Sequence, residues 1–247
     1  MKCVLLAAGI GKRMRPVSRT TPKCLLPLGK KPLLERIIAS LHTAGIADIA
    51  LVTGYRAAAV RAFVNKRFRR HQIAFLHNKR FETTNNAYSL SLCNQFIGRS
   101  PFMLLDSDIL FDGRIIAYLM NCERKPNRLA VRVRGPHNEE EIRVKINRWD
   151  HITAINKHVG LRDTYGESIG IALFSAPAAQ RLFEILNERI KAGSGRREFY
   201  EAAFQQLIDE GNRLWAIDIS QFPSAEIDTP EDFKHAEEVI LPLLNDD

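Results

Sequence analysis

Gly9, Gly11, Arg13, Arg15 and Lys23 follow directly on the first apolar run of the chain, within LLAAGIGKRMRPVSRTTPKCLLPL. This set of residues suits an oligophosphate. Glycine has no Cβ, so its backbone N–H can come close to a phosphate oxygen. Arg13 adds a planar fork of donors, and Lys23 a compact, mobile positive charge. Two common phosphate loops are absent: there is no GxxxxGK[ST], and Met14 stands where a GxGxxG would close with glycine. A lone GxG is most simply a tight turn carrying surface cations. The ordered combination of LAAG, GxR, Pro16 and Thr21-Pro22-Lys23 argues against that simple reading.

Carboxylates stand at two distant points. Asp106 and Asp108 close the apolar run PFMLLDSD, and Asp228 follows a short EI just before Thr229-Pro230. Hard oxygen donors from separate segments are what Mg2+ takes, together with waters and phosphate oxygens. Each aspartate also has a plainer reading, Asp108 as a strand terminus and Asp228 as a helix-start residue.

These side chains need a scaffold that brings them together. Residues 2–7, 48–54, 73–77 and 101–108 read as buried strands, and 32–44, 56–68 and 86–96 as helices. Strands alternating with helices at this spacing predict a mainly parallel sheet covered on both faces. In such a sheet ligands collect at the carboxyl ends of the strands, where residues 6–12 and Asp108 would lie. The second half differs. RLAVRVRG, EIRVKINR and HITAINKHV alternate with period two, so a strand-rich addition is expected there. Residues 167–175 read as a buried strand, and 177–191 and 197–210 as helices joined by AGSGRR, a candidate mobile loop. A last helix over 230–244 would start at the Thr229 cap, with Pro230 its first residue. The fold class is thus α/β: a single Rossmann-like domain over 1–247, with a mostly parallel central sheet and a strand-rich excursion.

Composition narrows the classes. The chain has 247 residues, 45% apolar and 26% charged, ordinary values for a globular protein. No run approaches the roughly 18 apolar residues of a membrane span, and Gly9, Gly11 and Lys12 interrupt the apolar start before it could serve as a secretory signal. A cytoplasmic location is the default. Cys3, Cys24, Cys93 and Cys122 are scattered without a metal-type spacing, so buried reduced thiols are expected. The net charge of +8 owes much to NKRFRRHQ, which holds one aromatic and matches no nucleic-acid motif. Neither nucleic acid nor membrane is expected as a partner.

With LAAGxGxR, TPK and KPLLE, the chain resembles the nucleotidyltransferases that make sugar nucleotides and CDP-alcohols. TNNAYSL, SDILFD, GESIGIALFS and EIDTPEDF are similar to blocks of the phosphocholine cytidylyltransferase-like branch. The resemblance covers nearly the whole chain and implies a nucleotide-binding half over 1–112 and an acceptor-binding half over 113–247. It implies transfer of a nucleotidyl group: a phosphate oxygen of the acceptor attacks the α-phosphorus of an NTP, and pyrophosphate leaves. Positioning and charge stabilisation can carry such a step without a covalent intermediate.

The resemblance also implies roles for single residues. Arg13, Lys23, Asp108 and Asp228 fall at catalytic positions, with Asp108 and Asp228 the Mg2+ ligands; Asp106 competes for that place. Leu6, Ala7, Ala8, Gly9, Gly11 and Lys12 would border the nucleotide. Asn78, Thr84, Asn85, Asn86 and Ser89 fall where base and ribose are recognised, although Thr84 and Asn85 can also cap a helix. Lys157 falls where relatives often hold the acceptor phosphate with lysine. By charge alone Lys145 is a candidate to assist it, and by type and position Glu167, Tyr200 and Glu201 are candidates to meet the rest of the acceptor. Relatives acting on phosphocholine carry an aromatic near Ile142, and its absence here counts against a quaternary ammonium. The expected activity is an Mg2+-dependent cytidylyltransferase joining CMP from CTP to a small phosphorylated or phosphonylated alcohol such as phosphocholine, phosphoethanolamine or 2-aminoethylphosphonate. The alternative is a sugar-1-phosphate nucleotidyltransferase using UTP, GTP or dTTP. A nucleotide-binding module without turnover would lack Lys23 or an aspartate, and this chain has them all.

Overall fold

The computed structural model describes residues 1–14, 21–69, 72–122, 124–133 and 141–244. KCVLLA forms β1 (Lys2–Ala7), an unbroken apolar run because both of its faces are buried. Cys3, Leu5 and Ala7 enter one apolar layer, and Val4 and Leu6 the other. A short hairpin, β2 (Pro27–Leu28) with β3 (Lys31–Pro32), leads into α1 (Leu33–Thr43), whose Leu34, Ile37, Ile38 and Leu41 recur at helical spacing and are all buried. Then come β4 (Asp48–Thr53), α2 (Ala57–Arg67), β5 (Ile73–His77), α3 (Asn86–Ser91) and α4 (Asn94–Ile97). β6 (Phe102–Asp106), β7 (Ile109–Phe111) and α5 (Arg114–Met120) end the first half. The second half adds β8 (Arg128–Arg132), β9 (Arg143–Ile146), β10 (Ile152–Asn156), β11 (Gly166–Phe174), α6 (Ala176–Ala192), α7 (Glu201–Asp209), β12 (Trp215–Asp218), β13 (Ser224–Glu226) and α8 (Pro230–His235).

The main sheet runs β10-β9-β11-β6-β1-β4-β5, with β8 against β11 and β12 against β8. β6, β1, β4 and β5 are parallel; β11 joins β6 antiparallel and opens the strand-rich half. Residues of α1, α2 and α5 pack on one face, and those of α3, α6 and α7 on the other. From β1 the chain moves outward to β4 and β5, then returns to the opposite side of β1 with β6. The crevice outside the carboxyl ends of β1 and β6 is therefore the switch point at which such sheets bind ligands. There the Ser107 N–H donates to the Leu6 carbonyl at 3.1 Å.

Several boundaries depart from the expectations. The strand over 101–108 stops at Asp106, because the chain turns at Ser107–Asp108 to start β7. The helix over 86–96 is broken at Leu92–Cys93, and that over 197–210 begins only at Glu201. The last helix is α-helical to His235 and then continues as a wider turn and a tighter one. AGSGRR contains a 3-10 turn, Ser194–Arg196, tied down where the Asn85 N–H donates to the Arg196 carbonyl at 2.8 Å. Arg15 and Pro16 of the opening motif, and the end of RLAVRVRG beyond Val133, lie outside the described residues.

Candidate active site

The turn after β1 is laid against the end of β4. The Tyr55 N–H donates to the Ala8 carbonyl at 3.1 Å, and a Cβ on Gly54 would lie 2.5 Å from that same oxygen. Gly11 has φ +63°, which favours glycine, and its carbonyl accepts from Met14 N–H at 3.0 Å. Met14 is buried and anchors the turn. Beside Gly9, by contrast, no atom lies within 4 Å of where a Cβ would stand, so its backbone is open to the cleft.

Lys23 starts a 3-10 turn, Lys23–Leu25, after Pro22, with Cys24 buried beneath it. Its Nζ lies 2.9 Å from Asp108 Oδ2 and 2.6 Å from Asp228 Oδ1. Arg13 Nη2 meets the other oxygen of Asp228 at 2.7 Å. A small antiparallel pairing makes the two distant aspartates neighbours: β13 runs beside β7 with Glu226 opposite Ile109, and the Ile227 N–H donates to the Asp108 carbonyl at 2.9 Å. Asp232 then fixes the loop, accepting from Asp228 N–H at 3.0 Å and Thr229 N–H at 2.8 Å, while its own N–H donates to Thr229 Oγ1 at 3.1 Å. Burial alone would lower the Lys23 pKa, but the two carboxylates outweigh it and hold the ammonium charged. Burial likewise works to raise the pKa of Asp228, and Lys23 and Arg13 overcome it, keeping that carboxyl below its ordinary range.

Asp108, Glu226 and Asp228 each offer one carboxylate oxygen, all within 4.8 Å of one another. Asp108 Oδ1 is buried with no hydrogen-bond partner. Three hard oxygen donors and an orphaned acceptor fit a divalent ion of the Mg2+ type. Glu226 was not among the residues read from sequence. Its signal is the spacing to Asp228, two residues apart along extended chain and so on one face. Although Glu226 opens to the cleft, the surrounding protein limits its hydration, and Asp108 and Asp228 add their charge; its pKa is pushed up to about 8. Asp106, the competing acid, takes no part in this group. Its Oδ2 accepts from the Tyr200 hydroxyl at 2.5 Å, and burial, with Asp108 nearby, raises its pKa.

Two compartments of about 250 Å3 each meet at Leu6, Gly9, Arg13, Asp108 and Asp228, forming one cleft. The first is lined by Ala7, Gly11, Lys12 and Lys23, the second by Ala8, Asn78, Thr84, Asn85, Asn86 and Ser89. Phe81, passed over in the sequence, also lines the second. The amides there build the wall. Asn78 Nδ2 donates to Thr84 Oγ1 and Ser89 Oγ, both at 3.0 Å, and its Oδ1 accepts from Arg80 N–H at 2.8 Å. Asn85 Oδ1 accepts from Asn86 N–H at 2.8 Å at the start of α3, and Asn86 Oδ1 accepts from Tyr200 N–H at 2.8 Å.

A third cavity, about 660 Å3, lies between β10 and α7 and shares Phe199 with the second compartment of the cleft. Lys157 and Glu201 line it, and Ile142 forms part of its apolar wall. Lys157 Nζ stands 5.0 Å from the centre of the Phe199 ring. Glu201 is buried, its Oε2 has no hydrogen-bond partner, and burial pushes its pKa up to about 7. Tyr200 is buried behind Phe199. Glu167 lines none of these spaces; it pairs with Arg132, and burial still brings its pKa up to about 7. Lys145 is not brought to the cavity either. It is exposed on β9 and pairs with Asp163 at 3.0 Å.

The model of the MobA-like NTP transferase domain matches residues 3–203. The chain belongs to this family. Over 245 residues it is 27% identical to the CMP-5'-(3-aminopropyl)phosphonate synthase of Streptomyces rubellomurinus, a match that covers 96% of this chain and 38% of that protein. The chain thus spans well under half the length of that relative. The 2-aminoethylphosphonate cytidylyltransferase of Lancefieldella rimae is 26% identical over 209 residues, 84% of this chain and 80% of that one. In fold, the domain is similar to CTP:phosphocholine cytidylyltransferase from Streptococcus pneumoniae, with a TM-score of 0.77 at 22% identity over 96% of this chain and 98% of that one. Among the described residues no helix of this MobA-like domain is long and apolar enough to cross a membrane.

Proposed function

We propose that this NTP transferase is a metal-dependent cytidylyltransferase that joins CMP from CTP to a small phosphorylated or phosphonylated alcohol. The observation that carries the reading is the meeting of Arg13 and Lys23 with Asp108 and Asp228 at the mouth of the glycine turn. A cleft that holds two cations against two carboxylates beside the uncrowded backbone of Gly9 suits two anions that must approach each other. An acceptor oxygen forms a bond to the α-phosphorus as the bond from that phosphorus to the β-phosphate bridge breaks, and pyrophosphate departs with the electron pair. Gly9 and Gly11 present N–H groups to the leaving phosphates, Arg13 and Lys23 offset their charge, and Lys157 orients the acceptor's phosphate or phosphonate. Asp108 and Asp228 would hold the divalent ion, with Glu226 at its edge; when bound, the ion neutralises charge between the two substrates.

The acceptor cavity supports an aminated acceptor, since Glu201 lies buried in its wall with Oε2 lacking a hydrogen-bond partner. The relatives named for aminoalkylphosphonates point the same way. The test is pyrophosphate release from CTP, UTP, GTP and dTTP, each offered with phosphocholine, phosphoethanolamine, 2-aminoethylphosphonate and several sugar-1-phosphates. CTP with an aminated acceptor is the expected pair. A sugar-1-phosphate with UTP, GTP or dTTP as the preferred pair would replace this reading, and silence across the matrix would end it.

A further inference from the structure

Phe199 lines both the second compartment of the cleft and the 660 Å3 cavity, so it stands between the places given to the two substrates. Its neighbour is held at both ends. The Tyr200 N–H donates to Asn86 Oδ1 at 2.8 Å, and the Tyr200 hydroxyl donates to Asp106 Oδ2 at 2.5 Å; the residue is 1% exposed. Just upstream, the Asn85 N–H donates to the Arg196 carbonyl at 2.8 Å. The segment entering α7 is therefore stitched to the start of α3 and to the end of β6, the two elements that border the nucleotide side. Gly170 makes the stitch possible. It has φ +72°, and a Cβ there would lie 2.7 Å from Asp106 Oδ2.

Asp106 stands two residues before Asp108, yet its carboxylate is committed to the acceptor half of the domain rather than to the cation site. Removing one partner of a buried hydrogen bond leaves the other unpaired at the full desolvation cost, so this single contact can set where Phe199 stands. We propose that Asp106 is a positioning residue for the acceptor: acting through Tyr200, it fixes Phe199 as the partition between NTP and acceptor. The proposal rests on the transfer reading above, because it needs an acceptor.

Three substitutions test it: Tyr200→Phe, which removes only the hydroxyl, Asp106→Ala, and Asp106→Asn, which keeps an acceptor oxygen. Tyr200→Phe and Asp106→Ala should raise the acceptor KM about tenfold or more, the effect of leaving a buried polar group unpaired. In Tyr200→Phe the Kd of CTP, measured by calorimetry without acceptor, should stay within about twofold, a shift well below the 1.4 kcal/mol of a tenfold change; Asp106 itself borders the second compartment, so that comparison is made on Tyr200→Phe. Asp106→Asn should recover most of the acceptor affinity. Acceptor KM and CTP Kd rising together in Tyr200→Phe would overturn the proposal, as would no change in either, or Asn performing no better than Ala. A second readout needs no turnover: amide hydrogen exchange over residues 197–204 should speed up in Tyr200→Phe and Asp106→Ala while the rest of the domain keeps its protection. Unchanged exchange there refutes the positioning role. A wild type that turns over no substrate pair refutes the transfer reading alone.

Discussion

Lys23→Met removes one ammonium and keeps the reach of the side chain. The Nζ it deletes lies 2.9 Å from Asp108 and 2.6 Å from Asp228, on a side chain only 10% exposed. Breaking a fully buried ion pair costs about 3–5 kcal/mol. Here the aspartates keep 29% and 25% exposure, so water reaches both once the ammonium is gone. That discount brings the expected loss of stability to about 2–3 kcal/mol. The loss should depend on pH with a definite sign. Lys23 holds the Asp228 carboxyl below its ordinary range, so the stability from this pair is complete above that range and disappears as pH falls through the lowered value. The gap between wild type and variant should therefore be full at neutral pH and shrink in acid. Urea midpoints at neutral pH and in acid below the ordinary carboxylate range measure this. Pyrophosphate release should fall about 100- to 1,000-fold, as for other lost electrostatic contacts at a reacting centre. Millimolar Mg2+ should stabilise the variant more than the wild type, since its carboxylates no longer hold an ammonium. Near wild-type turnover, or a stability gap that does not change with pH, would refute the reasoning.

Asp108→Asn should lower pyrophosphate release by about 100-fold or more while leaving the fold intact, and unchanged release would remove Asp108 from the reacting site. Chelation with EDTA should abolish release, and turnover by fully demetallated protein would defeat the metal assignment. Gly54→Ala places a methyl 2.5 Å from the Ala8 carbonyl and should cost about 1–3 kcal/mol of stability while weakening NTP binding; denaturation and CTP calorimetry check both. Glu201 keeps its proton up to about pH 7 when folded and loses it near 4.5 when unfolded, so its contribution to stability falls as pH rises across that window. Glu201→Gln should flatten that slope, by at most about 3 kcal/mol between pH 5 and 8, and an unchanged slope would show that Glu201 is ionised at little cost.

Much of the scaffold was legible because it rests on local signals. KCVLLA reads as a strand buried on both faces, and α1 as an amphipathic helix, because each keeps its period over a whole element. β7 and β13 were not legible: each is three residues long, and their pairing joins segments more than a hundred residues apart. That pairing is what brings Asp228 beside Asp108, which motif resemblance had supplied and periodicity could not. The strand over 101–108 was carried two residues too far, into Ser107-Asp108, and the break at Leu92–Cys93 was missed because apolar residues continue across that turn. Asp106 and Asp108 looked equivalent in LDSD, and only the fold shows one facing Tyr200 and the other Lys23. Lys145 drew attention by charge alone, and its place on an exposed strand face explains its distance from the cavity.

The central claim is that the glycine turn and the two aspartates converge on one triphosphate with a divalent ion between them. A crystal grown with a non-hydrolysable CTP analogue and Mn2+, the metal located by its anomalous signal, tests this most directly. The ion should lie between Asp108 and Asp228 and the triphosphate against Gly9, Gly11 and Arg13. Metal bound away from those carboxylates, or a nucleotide lying outside the crevice between β1 and β6, would contradict it.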